Sequence, residues 1–173
     1  MRIAQLIAAA SSALIFVGAS TSTASAIELT SVNAGIHVVE KSSGISFYAP
    51  SGYVRVRGVA GYILVELRDD STSAQLTVES AGGDVTIADA KAYLKSWVGK
   101  DHLKIDQART VYERFGEVAD LRFTFTFPGS DFTEYGEELR FQSGARSFDV
   151  IVDSWVAPAV KTTAQQLLAT WGH

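Results

Sequence analysis

From residue 118 to residue 127 the chain alternates without a break. Leu121, Phe123, Phe125 and Phe127 fall on one side, and Arg122, Thr124 and Thr126 fall on the other. A period of two describes a β-strand with one buried face and is incompatible with a helix, whose apolar positions recur every 3.6 residues. Such a strand needs partners, and shorter alternating runs supply them at 44–50, 53–59, 62–68, 74–79 and 105–112. The segments 138–142 and 147–155 flank Ser143-Gly144-Ala145-Arg146, a connection with the composition of a hairpin turn. Short alternating strands joined by Gly-, Ser- and Asp-containing turns predict an antiparallel sheet.

Two segments break this period. After Gly82-Gly83, Thr86 stands as an N-cap with Asp89 three residues on, and Ile87, Ala90, Leu94, Trp97 and Val98 share one helical face before Gly99. The spacing predicts a helix over 87–98. Pro158 then suits a first helical turn, and Val160, Ala164, Leu167, Leu168 and Trp171 repeat at helical spacing. The fold class expected is α+β: an antiparallel sheet packed by two main helices, both on one sheet face. Arg122, Thr124, Glu138, Arg140, Asp149 and Asp153 are then expected to solvate the other face.

The start of the chain reads as an address. Arg2 is the one charged residue before Glu28, an apolar run covers 3–19, and Ala24-Ser25-Ala26 has the small-x-small form of a cleavage site. This is the pattern of a secretory signal peptide over 1–26, cut after Ala26. The run is too short and too polar for a spanning helix, and no later segment suits one, so no transmembrane anchor is expected after cleavage. The expected organisation is a signal at 1–26, a leader with one short strand at 27–43, and one α+β domain at 44–173, in a secreted or periplasmic location.

The chain has no cysteine, which removes disulfides, thiolate metal sites and a lipid-anchoring cysteine. Its formal charge of −4 becomes one unit more negative when Arg2 leaves, which argues against a nucleic-acid partner. His37, His102 and His173 are far apart, and no metal-binding, nucleotide-binding or nucleophile motif occurs. No catalytic residue, metal or cofactor is therefore expected. Gly82-Gly83 before the helix reads as a loop-to-helix entry rather than an anion cradle. Asp131, Glu134, Glu137 and Glu138 read as a solvated acidic loop within 128–136 and its flank. In that loop Phe132 and Tyr135 either anchor a protein interface or fold back over the sheet edge.

The run Gly44-Ile45-Ser46-Phe47-Tyr48-Ala49-Pro50-Ser51-Gly52-Tyr53 carries an aromatic-x-x-Pro-x-Gly-aromatic pattern. Together with the middle helix around Ala92-Tyr93-Leu94 and the closing hairpin and helix, it resembles the PsbP-like superfamily over most of 44–171. The resemblance implies an α/β sandwich that binds partners and has no shared catalytic constellation. It departs from lipid-anchored members, which need a cysteine after the signal. The function expected is a non-enzymatic, exported module that binds a protein. The alternatives are a carrier of a small apolar ligand or lipid and, behind it, a hydrolase using scattered carboxylates or serines.

Overall fold

The computed structural model describes residues 27–32, 35–56, 63–98, 102–127, 129 and 131–172; the expected signal peptide, Gly99 and His173 lie outside them. The order of elements is β1 (Ile27–Val32), β2 (Gly35–Glu40), β3 (Ile45–Ala49), β4 (Val54–Arg55), β5 (Ile63–Asp69), β6 (Ala74–Ser80), α1 (Ile87–Val98), β7 (Leu103–Glu113), β8 (Gly116–Thr126), β9 (Thr133–Ser143), β10 (Arg146–Ser154) and α2 (Ala157–Thr170). They form a three-stranded sheet, β1-β2-β3, and a seven-stranded sheet, β4-β5-β6-β10-β9-β8-β7, with antiparallel neighbours throughout. The fold is α+β, as its periodicities require.

Helix α1 covers the span read from the sequence. The Thr86 hydroxyl accepts the Asp89 backbone N–H at 3.0 Å, which is the N-cap bond, and donates to the Asp89 carboxylate at 2.5 Å. In α2, Pro158 sits in the first turn, where its missing N–H costs nothing. At the other end, Thr170 Oγ1 accepts the Tyr48 N–H at 2.9 Å, and the Gly172 N–H donates to the Ser46 carbonyl at 2.7 Å. These two bonds fasten the small sheet to the helix.

The helices lie on opposite faces of the large sheet, which corrects the one-face arrangement. Register fixes this. Val78, Val150 and Leu139 face each other across β6, β10 and β9 and belong to the core beneath α2. One residue on, Thr77, Ile151, Glu138 and Leu121 align, and Ile151 and Leu121 belong to a second core with Ala90 and Leu94 of α1. Neighbouring residues of a strand point to opposite faces. The consecutive Val150-Ile151-Val152 of β10 are all buried, the pattern of a strand covered on both sides.

The core under α2 is aromatic. Trp171 lies 4.7 Å from Phe141, 5.2 Å from Phe148 and 5.7 Å from Phe47, ring centre to ring centre. Within the segment 27–43, read as a leader with one strand, Ile27–Val32 and Gly35–Glu40 pair as the antiparallel strands β1 and β2, and Val38 is fully buried in this core. The small-sheet packing is tight at Gly35, where an added Cβ would lie 2.1 Å from the Ala49 carbonyl oxygen.

Under α1, Phe123 lies over Gly136 of the neighbouring strand, filling the space that a side chain would take. A Cβ there would sit 2.1 Å from Phe123 Cζ. Gly136→Ala is expected to displace that ring and to lower stability by about 2 kcal/mol, read by urea unfolding. An unchanged midpoint would mean that Phe123 has room to move.

Candidate functional site

Of the acidic run read as a solvated loop, Asp131 is exposed as expected, but the three glutamates lie on a buried strand. β9 begins at Thr133, so the connection is shorter than expected, and Glu134, Glu137 and Glu138 are all buried. The sheet charges expected to face solvent are buried too: Arg140, Asp149 and Asp153. On the α1 face, β5, β6, β9 and β10 present Glu66, Glu79, Glu134, Glu138, Asp149 and Asp153. Among the described residues the one buried basic side chain is Arg140.

A buried carboxylate persists as a charge when donors surround it. Glu40 shows the satisfied case: it accepts from the Ser42 N–H at 3.0 Å, the Ser42 hydroxyl at 2.7 Å and the Ser43 N–H at 2.7 Å, and from the Ser43 hydroxyl. Asp69 is similar. Burial would raise its pKa, but the Thr72 hydroxyl and the Ser71 hydroxyl and N–H hold it below the ordinary value. Glu138 is the opposite case. It is 0% exposed, and neither of its oxygens has a donor. Burial, and then the nearby charge of Asp149, push its pKa up to about 9. Burial beside the Asp149 charge therefore favours the protonated form of Glu138 at neutral pH. Burial raises the pKa of Asp149, and Arg140 opposes the rise, with Nε to Oδ1 at 2.8 Å and Nη2 to Oδ2 at 2.9 Å.

Two further acid pairs join β9 to its neighbours. On the α2 face Glu137 meets Asp120 of β8, and burial followed by the Asp120 charge lifts Glu137 to about 7. Arg109 and Arg122 flank this pair, at 2.7 Å from Asp120 and 3.2 Å from Glu137. On the α1 face Glu134 meets Asp153 of β10. Burial raises Asp153 well above its usual range, and Glu134 raises it further. Tyr93 of α1 donates its hydroxyl to Glu79 at 2.6 Å and lies beneath the Arg140 guanidinium.

Above the Glu134–Asp153 pair lies an aromatic surface. Phe132, 56% exposed, and Trp155, 40% exposed, stack with ring centres 5.8 Å apart and planes 19° apart. The Trp155 side chain also hydrogen-bonds Glu134. Tyr135, 38% exposed, pairs with Ser154 and Thr124 and points to the opposite sheet face. The structure thus separates Phe132 from Tyr135 and brings Phe132 to Trp155. Sequence reasoning missed the stack, because the two residues are far apart in the chain. Trp97, placed by the sequence on the apolar face of α1, is exposed and meets Phe125 edge-on.

The remaining candidates are absorbed by the fold. His37 stacks on Tyr48 at 4.7 Å. The Gly82 carbonyl accepts from Arg140 at 3.1 Å. A cleft of about 430 Å³ between the 50–53 turn and α2 is lined in part by Tyr53, Asp69 and Thr163. Their polar groups are engaged with one another or with the adjoining turn, Tyr53 with Thr163 at 3.0 Å. Among the described residues no group of three or more His, Asp or Glu side chains is arranged to hold a metal ion. No described helix is long and apolar enough to cross a membrane.

These features define a PsbP-like α+β sandwich with an acidic interior sheet. The solution structure of cyanobacterial PsbP (CyanoP) from Synechocystis sp. PCC 6803 matches 82% of this chain and 96% of its own, with a TM-score of 0.53 and 13% identity. The crystal structure of LpqN from Mycobacterium tuberculosis, described as involved in cell envelope biogenesis, matches 84% of this chain and 90% of its own, with a TM-score of 0.49 and 10% identity. No family model matches the sequence, and no curated protein does.

Proposed function

We propose that the protein is an exported, non-enzymatic module that binds a protein partner through the surface made by Phe132 and Trp155. The observation that carries this reading is the exposed stack itself. Large aromatic side chains held rigid at a surface supply buried area at little entropic cost, and Trp is among the residues that dominate interface energies. The signal-like first 26 residues support export, and the PsbP-like fold supports a scaffold role. The space beneath α2 is filled by Phe47, Phe141, Phe148 and Trp171, so the carrier alternative finds no chamber there.

The test is cross-linked capture from the envelope and secreted fractions of the source cell. Phe132→Ala with Trp155→Ala is expected to reduce capture of a reproducible partner at least about tenfold. Tyr135→Ala, on the other face, is expected to retain it. Equal capture by the double variant, with unfolding behaviour unchanged, would remove the aromatic surface from the proposal.

A further inference from the structure

The stack and the acid pair are joined by the hydrogen bond between Trp155 and Glu134. Gly136 pairs with Asp153 and Tyr135 with Ser154, so Glu134 and Asp153 lie diagonally on one face of two adjacent strands. Both are buried. Glu134 accepts from Asp153 and from Trp155, while Asp153 Oδ2 has no donor of its own. This is the arrangement of a protonated Asp153 giving its O–H to an ionised Glu134, which at the same time holds the indole N–H of Trp155.

The surroundings favour keeping that proton. From β5, Glu66 adds negative charge at Asp153, and Gln75 of β6 donates to Glu66 at 3.0 Å. In register, β6 offers the neutral Gln75 and Thr77, β8 offers Phe123 and Phe125, and β9 adds Glu138 and Gly136. Arg68 lies two strands away in the same row and is paired with Asp70 at 2.7 Å. Burial, and more weakly the charges of Asp69 and Asp153, push the Tyr53 hydroxyl up to about 12 and keep it neutral. From α1, Trp97 packs against Phe125, the β8 partner of Glu134.

We propose that the Glu134–Asp153 pair is a proton latch for the Phe132–Trp155 surface, ordering it when Asp153 is protonated and releasing it when the proton leaves. This rests on the binding role proposed above. Loss of the proton leaves two carboxylates facing one another in a buried site, where like charges are costly. Glu134 is nearer the strand end, and its movement toward water relieves the repulsion. Trp155 then loses its acceptor, and its stack on Phe132 loses the anchor on one side. Binding is thereby favoured in acid and weakened as pH rises.

The test reads the free protein and needs no partner. The indole N–H of Trp155 is followed by ¹⁵N–¹H correlation spectra between about pH 4 and about pH 9, assigned with Trp155→Phe. The expected result is a single titration of Trp155 with a midpoint above the ordinary carboxylate range. Asp153→Asn keeps an N–H donor toward Glu134 but cannot ionise, and it is expected to abolish that titration. Glu134→Gln, which removes the ionisable acceptor, is the second variant should Asp153→Asn fail to fold. A Trp155 signal that does not move, or one that titrates identically in the folded variant, would overturn the latch. Either failure leaves the binding role standing, because that role falls only with capture by the Phe132 and Trp155 variants.

Discussion

Glu138→Gln is expected to stabilise the protein at pH 8 and to flatten its stability-versus-pH curve. Glu138 lies between Ile151 and Leu121, with no donor to either oxygen. Its ordinary pKa of 4.5 applies to the unfolded chain, and burial followed by Asp149 lifts the folded value to about 9. Between those two values the folded protein holds a proton that the unfolded chain has released. The stabilisation is therefore complete below about pH 4.5, falls as pH rises, and is lost by about pH 9. The slope for one such group is on the order of 1 kcal/mol per pH unit. Glu137 adds to the decline up to about pH 7, its own folded value. Asp69 acts in the other direction, because its lowered pKa withdraws stability only as the solution becomes strongly acidic. The native state is thus most stable in mild acid. Glutamine keeps the shape and an N–H donor toward Asp149 but has nothing to ionise. At pH 8 the variant is expected to exceed the parent by about 2 kcal/mol or more, and at pH 5 the two should nearly coincide. Urea unfolding at both pH values decides this, and parallel curves for the two proteins would show that Glu138 is ionised in the fold.

The strand and helix periods of the sequence carried the architecture, and the reason is visible at β8. Leu121, Phe123 and Phe125 alternate because one side of that strand packs under α1. The N-cap at Thr86 and the proline in α2 are local chemistry, legible wherever they occur. Charge was the misleading signal. Glu134, Glu137 and Glu138 look like solvent-facing residues because a buried carboxylate is rare, and sequence does not show that a carboxylate can be kept by a proton rather than by a counterion. The same acids disguised the first half of β9 as a loop. Val150-Ile151-Val152 did carry the information that both sheet faces are covered, as an unbroken apolar run in place of an alternation. The Phe132–Trp155 contact could not be read at all, since it depends on β9 and β10 lying side by side in one register.

Arg140→Met is expected to be the most damaging single change in the acidic sheet. The guanidinium is buried, reaches both oxygens of Asp149, donates to the Gly82 carbonyl and lies over the Tyr93 ring. Methionine replaces much of its length but none of its charge. Asp149 would then be an ionised group with Glu138 and Glu79 around it and no cation, and removing one partner of a buried pair costs about 3–5 kcal/mol. The deficit should depend on pH in a way that simple loss of packing would not. Asp149 already has a raised pKa, with burial as the leading cause and Arg140 opposing it, so without Arg140 it takes up a proton more readily. As pH falls the variant should therefore recover part of its stability relative to the parent. Asp149→Asn in the same chain should recover most of the loss at neutral pH, because the charge that Arg140 neutralised is then absent. Thermal unfolding of the single and double variants across pH separates the two causes: a loss that is constant with pH and untouched by Asp149→Asn would assign Arg140 to packing against Tyr93 instead of to charge.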